Sequence, residues 1–501
     1  MLKLPSADDA LRLYSLLVQT RYTEQGLLQA LGSVEPPMPQ MRNLPRLLDQ
    51  TQAPTPFNVL ARWFLLGLPV TEATARRQLP PWFLDLAAGC ELLRLDAAMY
   101  HPNVLLVPFG DRLVAADLYP QMASATHFDH VLTLNPAARY LLNFTIRRCF
   151  GSTLDLCTGC GIQALAAAAH SGQVIATDIN PRAIAYTAFN ARLNGFTNVE
   201  CITGDVFAPV EGRTFDLIVC NPPFVLAPTR RYLYRDNDME LDHFCRRLVR
   251  EAPAYLNEGG CFQMTCEWAE LAGQPWQARL AEWFAASGCD VWVLKDYSRD
   301  PAGYAQNRIR EMPQQSPQAD ADAYAEWLAY YREQGVVQIH GGLIAMRRRR
   351  GGRWLKIEEP AQPLQGPFGD AVAGRFAGYD FLQAHAADAK LLAARLRLAP
   401  QARLVRESRC VAGGWRTQSL RLTLTEGIPH GIGLDPEVAE FLGRFDGRHP
   451  VAELVEAVCT RLDADPAQVR AECLAMVRRL VEHGFLLPQN AGAAPDRQRE
   501  A

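Results

Sequence analysis

Apolar residues recur along the chain in three different rhythms. Residues 8–32 set Leu11, Tyr14, Leu17 and Val18, then Leu27, Leu28 and Leu31, at helical spacing. Proline breakers follow at 34–39 and 53–56. Beyond Phe57 three short helices are expected, ending near Leu66 and covering 71–79 and 80–88, before alternating stretches at 92–95, 100–108 and 112–118. Three helices followed by a β-ribbon is the winged-helix order, which serves nucleic-acid or protein recognition and serves plain packing equally well. Its second and third helices carry Arg76 and Arg77 as their only basic residues, beside Glu72 and Asp85, which is thin for gripping phosphates in a groove.

From 119 the rhythm becomes strand–helix alternation. Strands are expected at 153–156, 173–177, 199–203, 215–220, 260–266, 290–294 and 336–347, with helices such as 162–169, 181–194 and 275–287 between them. This argues for an α/β, Rossmann-like doubly wound sheet. A polar insert at 306–323 reads as a loop or short helices. The last third is α+β and again winged-helix-like: helical over 369–399, strands at 404–411 and 418–424, helices at 436–444, 451–462 and 466–483, and a final strand from Gly484. The expected organisation is an N-terminal helical and winged-helix-like domain at 1–118, an α/β domain at 119–357, an accessory domain at 358–488 and a disordered tail at 489–501.

Composition narrows the function classes. The net charge of −3 over 501 residues excludes polyanion binding by bulk charge, so any basic surface must be local. Of 51 basic residues only Lys3, Lys295, Lys356 and Lys390 are lysines. The arginine bias fits codon pressure in a GC-rich genome, and it equally suits recognition of carboxylate or phosphate. The 13 cysteines are odd in number and scattered, which reads as reduced, small apolar residues in a cytoplasmic protein. No apolar run in the sequence reaches the ~18–20 residues of a membrane span, and the N-terminus turns acidic where a signal peptide would turn apolar.

Four motifs then fall at the carboxyl ends of expected strands, where doubly wound sheets bind ligands. The first is Thr153-Leu-Asp-Leu-Cys-Thr-Gly-Cys-Gly-Ile-Gln-Ala-Leu165. On its own, Gly159-x-Gly161-x-x-Ala164 also fits a dinucleotide fingerprint and an NAD-type oxidoreductase. Asp178 ends the next strand, with Ile179 after it, and puts a carboxylate where ribose hydroxyls would sit. Asp205, followed by Val206, ends the third, where a carboxylate accepts from an adenine amino group. Asn221-Pro-Pro-Phe224 ends the fourth.

This set resembles class I S-adenosylmethionine-dependent methyltransferases of the small-domain, release-factor glutamine methyltransferase-like type. The resemblance implies S-adenosylmethionine as cofactor, held by Asp155, Cys157, Gly159, Gly161, Asp178, Ile179, Asp205, Val206 and Asn221. It implies an enzyme acting on a planar nitrogen, whose delocalised lone pair points nowhere useful for in-line attack. The side-chain oxygen of Asn221 and the carbonyl of Pro222 can hold such an NH2 by its hydrogens, Phe224 can stack on the planar group, and the rate gain comes from orientation and proximity. One position departs from the family: Cys157 stands where its first glycine is usual. Cys157-x-x-Cys160 also mimics a redox or zinc pair, but lacks a second pair at zinc spacing, so no metal is expected.

Substrate candidates are Pro223, Arg230, Tyr234 and Arg235, close enough in sequence to overhang the site, as an alternative to a solvated loop. Tyr119, His127 and His130 precede the domain where family members close over the cofactor. The run Arg347–Arg350 with Arg353 looks like a phosphate patch but sits in an expected hairpin, where a solvated turn accounts for it. The pattern from Phe445 to Phe485 resembles the small winged-helix domain that holds precursor peptides in peptide-modifying systems, implying a protein-facing role beside simple packing. The favoured target is a protein glutamine side chain. The alternatives are a base of rRNA, tRNA or DNA (guanine N2 or adenine N6) and a non-catalytic binding protein. Asn221→Ala is expected to leave less than about a tenth of wild-type turnover in a methyl-transfer assay, with cofactor affinity changed by no more than a few-fold in equilibrium binding. Turnover above that tenth removes Asn221 from the machinery.

Overall fold

The computed structural model describes residues 1–33, 43–119, 127–312, 316–351, 354–360, 362, 364, 366–462 and 464–489. The proline stretch 34–39, Arg353 and the tail 490–501 lie outside the described residues. Contacts divide the chain into two compact units, 1–142 with 148–358, and 143–147 with 359–501.

The first unit is built on an eight-stranded sheet. Its strands are β1 (Phe150–Leu156), β2 (Ser171–Asp178), β3 (Val199–Thr203), β4 (Phe215–Cys220), β5 (Leu256–Leu271), β6 (Cys289–Arg299), β7 (Val336–Arg348) and β8 (Leu355–Glu358). The spatial order is β3-β2-β1-β4-β5-β7-β6-β8, and β7 alone runs antiparallel to its neighbours. The sequence order reverses between β1 and β4, which creates a crevice at their carboxyl ends. Helices α1 (Ile162–Ala168) and α2 (Pro181–Leu193) return the chain between the first three strands. The central strands are near-continuous apolar runs, with Leu154, Leu156, Ile175, Ile218 and Cys220 buried, as a sheet covered on both faces requires.

The periodicity puts a domain boundary at 118, yet the core runs straight across it. Leu17, Tyr22, Trp63 and Phe83 belong to the same buried cluster as Ile162, Leu165, Tyr186 and Phe189. Beside this apolar core the seam carries paired amides. The buried Asn190 of α2 accepts from Ala115 N at 2.8 Å and donates to Ala115 O at 2.9 Å, and Asn194 makes the same pair of bonds to Leu113. Two amides one helical turn apart therefore stand in for a partner strand along the edge of Arg112–Asp117. In the N-terminal part, helices Pro56–Phe64, Glu72–Gln78 and Pro81–Gly89 precede the strands Leu93–Asp96 and Met99–Pro102, which pair with Val70–Thr71 in one small antiparallel sheet.

The polar insert is helical rather than a loop, and the expected hairpin is absent. The polar insert is two helices, α4 (Pro301–Arg310) and the 17-residue α5 (Pro317–Glu333), the latter capped by Ser316 accepting from Ala319 N. Its low hydrophobicity hides the buried face of Ala323, Trp327 and Tyr331. The arginine run 347–350 is not in a hairpin, because β8 pairs in parallel with β6 rather than returning along β7. Three of its four side chains are committed internally: Arg347 and Arg349 to the buried Asp290 at 2.7 and 3.7 Å, and Arg348 to the carbonyls of Pro253 and Leu256.

In the second unit a three-stranded sheet of Arg395–Leu398, Asp446–Pro450 and Leu486–Pro488 packs against helices Val451–Arg461 and Pro466–Glu482. A separate sheet holds β9 (Ala402–Val411), β10 (Gly414–Leu424) and Gly431–Leu434. Residues 395–398 are strand, not the end of a helical stretch, since the helix Asp388–Ala393 stops at Ala394, in the extended region.

Asn190→Ala strips partners from the amide and carbonyl of Ala115 and the carbonyl of Cys160, all at a buried seam. The expected loss is about 1–3 kcal/mol of unfolding free energy in urea titration, as for other buried groups left unpaired. Asn190→Asp should not rescue it, because a carboxylate cannot donate to either carbonyl.

Candidate functional site

The turn between β1 and α1 takes left-handed backbone at Cys157 (φ 56°), Gly159 (φ 56°) and Gly161 (φ 83°). That explains the family's glycine at the first position; a cysteine there bears a Cβ in a conformation L-residues disfavour. At Gly161 a Cβ would come within 2.8 Å of Thr187 on α2, so only glycine lets the two helices meet. At Gly159 a Cβ would meet no atom within 4 Å, leaving the backbone open to the crevice.

Carboxylates hold this turn. Asp155 accepts from the Thr158 hydroxyl at 2.6 Å and from Ala164 N at 2.9 Å with one oxygen, while its other oxygen is buried without a hydrogen-bond partner. Burial pushes its pKa up to about 7. Asp178 accepts from Gly159 N and Asn180 N, both at 2.9 Å, and burial raises its pKa as well. Thr187 donates to Gly159 O at 3.0 Å and Asn190 to Cys160 O at 2.8 Å. The Cys160 thiol is buried and pushed up to about 12, which keeps it a thiol rather than a metal-binding thiolate.

A cavity of about 460 Å³ lies over this turn at the sheet's switch point. Ten of the residues singled out in the sequence line it: Cys157, Gly159, Asp178, Ile179, Asp205, Val206, Asn221, Pro223, Arg230 and Tyr234. Ile179 is a large apolar side chain left 52% exposed on this wall. Val206 adopts φ 47°, a strained angle for a β-branched residue. Asn221 follows β4 directly, and its Oδ1 accepts from the Thr265 hydroxyl of β5 at 2.7 Å. That bond fixes the amide rotamer and leaves a second lone pair on Oδ1.

Five candidates are not on the wall. Asp155 lies beneath the turn as its brace, and Gly161 is turned into the contact with Thr187. Pro222 is buried, and Phe224 packs between two apolar clusters, because the next residues are drawn towards the α4–α5 insert: Leu226 N donates to the Tyr304 hydroxyl and Leu226 O accepts from Tyr331. Arg235 is buried, bonded to Asp236 at 2.8 Å and set over Trp327. Its neighbours are paired too, Arg230 with Asp238 and Arg231 with Glu326, so the loop offers no open arginine cluster. Tyr119 and His127 stand off the wall, whereas the buried His130 lines it against the ring of Tyr234. Burial holds the His130 imidazole below its ordinary pKa against the opposing pull of Asp117.

Sequence reasoning missed several lining residues. Arg247 on α3 (His243–Glu251) reaches Asp205 at 3.1 Å, and Phe244 sits one turn before it. Asn237 donates to Pro223 O at 2.9 Å and so pins the loop after Asn221. The polar face of α3 reads as ordinary solvated surface; the register that brings it over β3 is tertiary information.

Residues 124–284 match the family model described as methyltransferase small domain, and residues 373–488 match a domain of unknown function (DUF7782). A ribosomal RNA small subunit methyltransferase C from Alcanivorax borkumensis is 32% identical over 110 residues, covering 22% of this chain and 30% of that protein. A ribosomal protein uL3 glutamine methyltransferase from Xanthomonas campestris pv. campestris is 37% identical over 131 residues, covering 23% and 41%. A release factor glutamine methyltransferase from Geobacter sulfurreducens is 37% identical over 150 residues, covering 28% and 51%. The matched segment thus spans about half, or less, of these relatives' own lengths.

The folded state holds the Asp155 proton more tightly than the unfolded chain, whose carboxyl titrates near 3.8 against about 7 in the fold. Stability owed to this group therefore falls as pH rises between those two values. Asp155→Asn lacks the titration. The wild-type advantage over it, measured by urea unfolding, should be larger at about pH 5 than at about pH 8. An equal advantage at both would mean that Asp155 is already ionised in the fold at the lower pH.

Proposed function

We propose, on the premise that residues 124–284 form a methyltransferase small domain of the class I S-adenosylmethionine-dependent type, that this chain methylates a planar NH2 group of a macromolecule, with a protein glutamine side chain as target. The observation that carries the reading is Asn221 on the wall of the same cavity as Asp178 and Asp205, at the carboxyl ends of strands on the two sides of β1.

The residues fit the cofactor. Gly159 leaves an open cradle, Ile179 offers an unpacked apolar face, and Asp178 and Asp205 present acceptors at the two strand ends beside them. When bound, S-adenosylmethionine supplies an electrophilic methyl group on a sulfonium sulfur. The chain's part is orientation. Asn221 Oδ1, already fixed by Thr265, accepts one hydrogen of the target NH2 and turns the nitrogen lone pair out of conjugation. Pro222 has no N–H and a fixed φ, so the backbone after Asn221 is stiff, and Asn237 holds it at Pro223. Pro222, Phe224 and Arg235 stand off the wall and are not assigned contacts with the target.

Glutamine is favoured over a nucleic-acid base because Arg230, Arg231 and Arg235 are each paired with a carboxylate, which leaves the loop beside Asn221 no open basic cluster for a phosphate backbone. Asp205 is likewise paired with Arg247, so the charges along the wall are balanced and suit an uncharged amide. Two of the three relatives above are named for glutamine; base methylation is the second reading, supported by the relative named for ribosomal RNA. The N-terminal module and the 373–488 region serve as recognition modules in this reading, in the cytoplasm. Among the described residues no helix is long and apolar enough to cross a membrane.

The test is transfer of labelled methyl from S-adenosylmethionine to cell lysate, with the product split between nuclease and protease. Label that survives nuclease and is lost to protease is the expected result. The reverse pattern selects the base, and absence of any macromolecular label overturns the reading.

A further inference from the structure

The second unit carries a surface to which the methyl-transfer reading gives no ligand of its own. Strands β9 and β10 pair antiparallel from Ala402↔Leu424 to Val411↔Gly414, and their outer two-thirds is exposed on both faces. A two-stranded ribbon without a packed face does not stabilise itself in water. Over 402–424 it holds five arginines against the single acid Glu407, in a chain whose net charge is −3.

The register sorts these residues. Residues directly opposite in an antiparallel pair share a face. One face carries Arg403, Arg409, Arg416 and Arg421, with Arg409 directly opposite Arg416. Like charges at directly opposed positions destabilise a sheet. Among the described residues neither Arg409 nor Arg416 has an ion pair or a hydrogen bond to its guanidinium, and Arg406 and Arg421 have no ion pair. Glu407 is bonded to Ser419 at 2.7 Å instead. This differs from Arg230, Arg231, Arg235 and Arg347–Arg349 of the first unit, which are joined to carboxylates or carbonyls. At the ribbon's end Trp415, opposite Cys410 and so on the other face from Arg409 and Arg416, is 76% exposed where a ligand strand rounding the tip meets both, and Leu404 and Val405 lie exposed along β9.

Folding explains neither the opposed arginines nor the bare indole. Both are accounted for by one occupant that supplies closely spaced negative charge together with flat rings. We propose that the β9–β10 ribbon binds single-stranded RNA, the arginines tracking its phosphodiester backbone and Trp415 stacking on an unpaired base. An acidic protein segment would answer the charge but gives the indole nothing to stack on. The proposal does not rest on the methyl-transfer reading and needs no cofactor.

The test uses the full chain and a fluorescein-labelled single-stranded uridine RNA of about 20 nucleotides, read by anisotropy at two salt concentrations. Wild type should bind with an affinity that falls steeply with salt. Arg409→Gln/Arg416→Gln should weaken binding at least several-fold and flatten the salt slope by about 1–2, one or less per lost contact. Trp415→Ala should weaken it roughly tenfold with the slope unchanged. The double variant should melt at or above the wild-type temperature, since it removes a repulsion, which separates lost binding from lost folding. Wild-type-like affinity in both variants overturns the proposal, as does equal competition by polyglutamate or by single-stranded DNA of matched length.

Discussion

The left-handed backbone of the turn after β1 is the constraint on which the rest of the first unit depends. Three residues in five, Cys157, Gly159 and Gly161, sit in a conformation that a free chain seldom holds. The turn is fixed from three directions. Asp155 braces the turn from below through Thr158 and Ala164, Asp178 takes the amide of Gly159 from the side, and α2 takes the carbonyls of Gly159 and Cys160 through Thr187 and Asn190. Because Asn190 also binds Ala115, the residue that secures the turn is the one that secures the N-terminal module. The module is thus an extension of the cradle, and the continuous core from Leu17 to Phe189 follows from it.

The opposite wall depends on a second buried carboxylate. Glu267 on β5 accepts from Tyr297, Tyr304 and Arg308, all within the same apolar surroundings. Burying that charge is costly unless it is fully bonded, and removing one partner of such a set is typically more damaging than replacing the whole by apolar groups. What the network secures is direction: Tyr304 carries the amide of Leu226, so the insert of α4 and α5 sets where the chain goes after Asn221. Thr265, two residues earlier on the same strand, fixes the Asn221 side chain. One strand therefore positions both the acceptor and the loop beside it.

These relations explain which parts were legible in the sequence. The strands β1 to β4 and their terminal motifs are local signals: an apolar run, then a residue whose chemistry matters at the strand end, and Gly159, Asp178, Asp205 and Asn221 all reach the cavity. Asp155 was equally conspicuous, but motif spacing cannot distinguish a residue that touches a ligand from one that shapes the turn beneath it. Arg235 was misread because proximity in sequence to Asn221 says nothing about Asp236 and Trp327, which bury it. The insert was illegible for a different reason. Its buried positions, Tyr304, Trp327 and Tyr331, are few among the polar residues of two helices, so low hydrophobicity masks the face that recurs at Ala323, Trp327 and Tyr331. Arg247 and Phe244 depend on how α3 crosses the strand ends, which no local pattern encodes.

Arginine shows the same distinction at the scale of the chain. A near absence of lysine is a property of composition, and a net charge of −3 averages over every site. Pairing separates the two uses. In the first unit Arg279 is locked to the buried Asp242, Arg308 to Glu267, Arg347 to Asp290 and Arg182 to Asp117. Planar forks suit such sites because two donors meet two carboxylate oxygens at once. Arginines so placed are internal structure and lend nothing to a partner. On the β9–β10 ribbon the same residue type stands with no ion pair at Arg409 or Arg416, Glu407 being bonded to Ser419, and with its like directly across the ladder. A fold that neutralises so many of its arginines and leaves this pair opposed has kept positive charge where folding gains nothing from it, and the return on that arrangement must come from outside the chain.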